Sequence, residues 1–149
     1  MHNTDMPVNT EREILESCAC HRVRTAARAV TRAYDQMLRP VGLRATQLSL
    51  LVATAADDPV SITALAKLMG MDRSTLTRNL RPLESEGLIA VSLEGWRRSR
   101  ALQITQKGRV MLKEALPLWR NAQQALRGKL GDRRWESMRS DLDQLIRVL

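Results

Sequence analysis

Between Ser61 and Ile89, apolar residues recur at helical spacing in two short runs separated by a glycine. The first run sets Leu65 and Leu68 at i and i+3. Gly70 can supply a left-handed C-terminal turn, and Asp72 can cap the next helix. The second run places Leu76, Leu80 and Leu83 on one stripe at i, i+4 and i+7, and Gly87 ends it. The opposite face carries Arg73, Ser74, Thr77, Arg78 and Arg81, side chains suited to phosphate oxygens and base edges. The spacing predicts a helix–turn–helix whose second helix reads DNA.

The pattern on either side extends this core. Runs at Leu88–Leu93 and Arg100–Ile104 have β-branched, alternating character and predict two strands joined by a turn at Gly95. Toward the N-terminus, a helix over about Ala45 to Ala55 points Leu48, Leu51 and Val52 inward and stops at Asp57-Asp58-Pro59. Before it, Thr10 and Glu13 form a T-x-x-E capping box, predicting one long helix to about Leu38, ended by Pro40 and Gly42. Residues Met1 to Asn9 are expected to be mobile. Thr105 can cap a further long helix to about Gly128, kinked at Pro117. A last helix, about Asp132 to Val148, sets Trp135, Met138, Leu142, Leu145 and Leu149 at alternating spacings of three and four, a heptad seam. The terminal helices hold more apolar residues than the small central domain needs, which predicts a dimer built from them.

Composition narrows the partners. The chain of 149 residues has a formal net charge of +8, which favours a polyanion. With three Trp, one Tyr and no Phe, it lacks the stacking platforms that single-stranded nucleic acid requires. No apolar run approaches a membrane span, and the N-terminus has no signal pattern. Cys18 and Cys20 do not make a disulfide framework, so a cytoplasmic location is expected. Neither a nucleophile elbow, nor a Walker loop, nor a zinc-protease motif is present, so no enzymatic activity and no cofactor are expected.

The order of helices and several short motifs resemble the MarR family of bacterial winged helix–turn–helix regulators. The motifs are Leu65-Ala66, Gly70 through Arg78, Leu83 through Ile89, Arg97-Arg98 and Ile104-Thr105-Gln106-Lys107-Gly108. The resemblance implies a fold that is mainly α with a small β-hairpin wing. It implies a single domain over 1–149, with a DNA-binding lobe at about 44–105 and dimerisation helices at about 10–40 and 106–149. It also implies a homodimer on a pseudo-palindromic double-stranded operator, with each wing along a minor groove. The family's wing usually carries Asp-Arg-Arg, whereas here Trp96 stands in the Asp position, with Glu94 two residues earlier as the nearest substitute.

On this reading Arg73 and Arg78 can form bidentate contacts with guanine, and Ser74, Thr75 and Thr77 can reach phosphates or a thymine methyl. Arg81 adds charge, and Arg97 or Arg98 fits a narrow minor groove. The controlling signal has two candidate forms. Resemblance places a small aromatic acid between the first helix and the DNA-binding lobe, against Arg28, with Arg24 one turn before it and Trp119 as a possible wall. Such a ligand would release a repressor. The alternative is a thiol sensor at Cys18 or Cys20. On a continuous helix these lie about 200° apart, unable to chelate one ion or form a mutual disulfide. The only histidines are His2 and His21, so no metal site is expected. A non-specific architectural DNA-coating protein is the remaining alternative.

Overall fold

A computed structural model describes residues 10–94 and 99–149, with side chains described outside 93–100. The predicted mobile segment Met1–Asn9 and the turn at Gly95 lie outside the described residues. The chain forms two compact units, one through Ala33 and one from Tyr34 to Leu149.

The expected single first helix is two: α1 (Thr10–Ser17) and α2 (Ala19–Leu38). Cys18 closes α1 by donating its N–H to the Ile14 carbonyl at 2.9 Å, and opens α2 by accepting the Arg22 N–H at 3.0 Å. The Arg22 guanidinium reaches back to the Glu16 carbonyl, with Nε at 3.0 Å and Nη2 at 2.9 Å. A side chain thus satisfies an acceptor that a continuous helix would pair with its own backbone. Thr10 is helical, and the residues before it lie outside the described residues. Ile14, Leu15, Val23 and Val30 are all exposed.

The second unit is built on leucine. A 3-10 turn at Arg39–Val41 leads into α3 (Ala45–Ala56), whose first N–H donates to Asp35 Oδ1 at 2.7 Å. Leu48, Leu50 and Leu51 are buried there, while Val52, expected inward, is 51% exposed. Strand β1 (Val60–Ser61) precedes α4 (Ile62–Met69), and Ser61 Oγ caps that helix by accepting the Ala64 N–H at 3.0 Å. Ile62, Leu65 and Ala66 face the core, whereas Leu68 is 61% exposed, so the i, i+3 pair does not share a buried face. Helix α5 (Arg73–Ser85) follows, then β2 (Ile89–Glu94), β3 (Ser99–Ile104), α6 (Gln106–Leu130) and α7 (Asp132–Val148).

The sheet is antiparallel with order β1-β3-β2, registering Val60 on Leu102 and Val91 on Leu102 from opposite sides. The two-residue β1 was not expected, since two residues carry no alternation to read. Leucines 38, 43, 48, 50, 51, 65, 76, 80, 83, 88 and 102 form one core that runs from the end of α2 through the sheet to Ala115 on α6. Helix α6 outlasts the expected stop at Gly128 and ends at Gly131, whose φ of 80° suits glycine. Pro117 is accommodated within that continuous helix.

Candidate nucleic-acid interface

Helix α5 is placed by caps at both ends. Asp72 accepts the Thr75 N–H at 2.8 Å and the hydroxyls of Ser74 and Thr75 at 2.6 and 2.7 Å. These donors hold its carboxyl well below the usual carboxylate range, the Ser74 hydroxyl contributing most. At the other end, Gly87 adopts φ of 71° and donates to the Glu84 carbonyl, and Leu88 donates to the Leu83 carbonyl at 2.9 Å. This pair of bonds is a Schellman stop, with buried Leu83 and Leu88 as its apolar contact.

Between the caps, Leu76, Leu80 and Leu83 are buried, which fixes the opposite face outward. There Arg73, Ser74, Thr77, Arg78 and Arg81 line one open concavity. Thr75 does not join them: it is half-buried and its hydroxyl is committed to the Asp72 cap. The Thr77 hydroxyl donates to the Arg73 carbonyl at 2.8 Å. Phosphate oxygens need donors, and all three hydroxyls already give theirs to the protein. Among the side chains that line the concavity, the arginines are left to donate to an anion, while the Thr77 methyl offers an apolar contact. Three guanidiniums on one face with no carboxylate among them make it strongly electropositive.

The base of the hairpin is joined to the end of α5 by residues that the spacing of apolar positions did not single out. Thr105 caps α6 by accepting the Gly108 N–H at 3.0 Å, and its hydroxyl donates to the Gly87 carbonyl at 2.6 Å. The Thr105 N–H donates to the Leu88 carbonyl at 3.1 Å. A Cβ at position 108 would fall far inside contact distance of the Leu88 carbonyl oxygen and 2.8 Å from Ile104 Cγ1, so only glycine fits. A threonine followed three residues later by glycine, at a helix start where glycine is disfavoured, is the signal that marks this joint.

The structure of the M. tuberculosis transcriptional regulator MosR in complex with DNA is similar over 86% of this chain and 92% of that one, with 38% identity and a TM-score of 0.79. A second MosR structure is similar over 90% and 96%, with 37% identity and a TM-score of 0.78. The transcriptional repressor CouR bound to a 23-mer DNA duplex is similar over 89% and 95%, with 25% identity and a TM-score of 0.80. Residues 43–92 match the sequence profile of the MarR family. The chain belongs to the MarR family of transcriptional regulators. No curated protein matches the sequence.

For a MarR-family chain, the remaining expected site residues fall as follows. Arg97, Arg98 and the unusual Trp96 lie outside the described residues. Arg24 and Arg28 are exposed on α2, and Arg28 Nη2 donates to Thr25 Oγ1 at 3.2 Å. Trp119 is 36% exposed on α6. Cys18 is half-buried at the α1–α2 break and Cys20 is exposed, both as free thiols. The break removes the continuous helix on which their 200° separation was argued. Among the described residues no group of three or more His, Cys, Asp or Glu is placed to hold a metal ion, and no helix is long and apolar enough to cross a membrane.

Proposed function

We propose that this MarR-type regulator binds double-stranded DNA sequence-specifically as a homodimer, with α5 in the major groove of each half of a pseudo-palindromic operator. The observation that carries this reading is the convergence of Arg73, Ser74, Thr77, Arg78 and Arg81 on one open face of a helix capped at both ends. Arg73 and Arg78 read guanine edges, and Arg81 neutralises phosphate. Arg97 and Arg98 serve the minor groove. The dimer is built from the terminal helices, whose apolar residues stand exposed on a single chain.

We infer further that the protein is a repressor released by a small aromatic acid held at Arg28, with Arg24 and Trp119 contributing. Such a ligand works by preferring a conformation whose recognition helices no longer match half-sites about 34–36 Å apart. The second reading is a thiol input at Cys18 or Cys20, favoured by the helix break at Cys18, which removes the 200° separation that a continuous helix would impose. Footprinting on the gene's own upstream region, repeated with aromatic acids and with oxidant, tests both. Protection that aromatic acids relieve in the wild type and not in Arg28→Ala supports the first reading. Relief by oxidant, lost in the Cys18→Ser, Cys20→Ser double variant, supports the second. Uniform coating without a footprint would mark an architectural protein instead.

A further inference from the structure

The carbonyls of the three residues that follow α5 each accept a hydrogen bond from the start of α6. The Glu86 carbonyl accepts from Lys107 Nζ at 2.6 Å, Gly87 from the Thr105 hydroxyl at 2.6 Å, and Leu88 from the Thr105 N–H at 3.1 Å. One turn further, Arg109 Nη2 donates to Asp58 Oδ2 at 2.6 Å, anchoring the same stretch of α6 to the loop before β1. Thr105 also caps α6 and Gly108 packs directly against the Leu88 carbonyl, so replacing either disturbs the fold itself. Lys107 differs. Its side chain is exposed, and its ammonium sits at the negative end of the α5 dipole.

We infer that Lys107 is a positioning residue for DNA reading: it holds the C-terminal end of α5 to α6 and so sets the tilt at which Arg73 and Arg78 meet the bases. This rests on the assignment of α5 as the DNA-reading helix. The tilt matters because bidentate contacts to base edges tolerate little angular error, whereas contacts to phosphate alone tolerate much. Losing the tether lowers affinity for the operator and leaves attraction to random duplex unchanged.

The test uses the full chain, the footprinted operator duplex and a scrambled duplex of equal length, each titrated at three salt concentrations. Lys113→Met, which removes the same charge elsewhere on α6, sets the baseline. Relative to it, Lys107→Met is expected to bind the operator about two- to fivefold more weakly, the size of a surface charge at a helix terminus. Scrambled-duplex affinity and salt slope are expected to match the baseline, and any fall in thermal midpoint is expected to be small and restored by Lys107→Arg. Lys107→Arg, which can still donate to the Glu86 carbonyl, is expected to restore operator binding. Equal weakening on both duplexes with the salt slope reduced by about one would make Lys107 a phosphate contact and overturn the inference. Unchanged operator affinity, or a fall in thermal midpoint that Lys107→Arg does not rescue, would overturn it as well. A wild type that fails to prefer the operator would instead sink the DNA-reading assignment, a separate and recognisable failure.

Discussion

Helices α5 and α7 carry apolar seams of the same kind, one of leucines at i, i+4 and i+7 and the other a heptad stripe. On α5, Leu76, Leu80 and Leu83 are at most 3% exposed, because α3, α4 and the sheet close over them. On α7 the seam is only partly covered: Trp135 is 7% exposed, Met138 and Leu145 are half-buried, Leu142 is 43% exposed, and Leu149, just past the helix, is 97% exposed. Periodicity says which face of a helix favours burial, and the rest of the chain decides whether anything covers it. The lobe around α5 supplies its own cover. The terminal helix does not, and a second copy of the chain is the partner we propose for it.

The contrast is sharpest in paired substitutions. Leu80→Ala is expected to cost roughly 2–5 kcal/mol at any protein concentration, since it opens a cavity in a closed core. Leu142→Ala removes the same atoms, yet its cost is expected to grow as the protein is diluted, because the cover is intermolecular. Thermal melts of both variants over a hundredfold concentration range distinguish the two. Concentration-independent effects at both sites would contradict the division. A stronger form places Glu at both Leu142 and Leu145. Light scattering at micromolar concentration is expected to show the wild type at twice the 16.8 kDa chain mass and the double variant at the chain mass, with the lobe still folded.

A smaller effect belongs to the cap of α5. The Asp72 carboxyl is depressed in the folded chain, so its contribution is complete above the ordinary carboxylate pKa of about 4 and is lost as the pH falls below it. Asp72→Asn, still a competent cap, is expected to flatten that acid-side loss in a pH series of thermal melts. An unchanged acid limb would mean that the carboxylate bonds to Ser74 and Thr75 do not persist in solution.

Most of the lobe was legible because strong local signals agree with one another. The glycine at position 70, the Asp72 cap, the α5 stripe and the Gly87 stop all specify the same helix pair, and all four appear in the structure. Legibility failed where a tertiary partner decides. Val52 was expected inward and Leu68 was paired with Leu65 on spacing alone; both are exposed, while Leu50 is fully buried. The break at Cys18 turns on an arginine six residues from the carbonyl it caps, a pairing that helical periodicity does not encode. At the interface itself, the five residues lining the concavity were readable from residue type and face. Thr75 and the Lys107 contact were not, because hydroxyl and ammonium partners follow from geometry rather than from spacing.

The central claim is that the outward face of α5 selects sequence rather than merely attracting DNA. Its most direct test is the ratio of operator to scrambled-duplex affinity for the wild type and for Arg78→Ala at one fixed salt concentration. The account predicts a large ratio for the wild type and a loss of about 1–3 kcal/mol on the operator for Arg78→Ala, with preference relaxed at one base position. An Arg78→Ala protein that kept the wild-type ratio would contradict the account, because the face fixed outward by Leu76, Leu80 and Leu83 would then not be the one that reads.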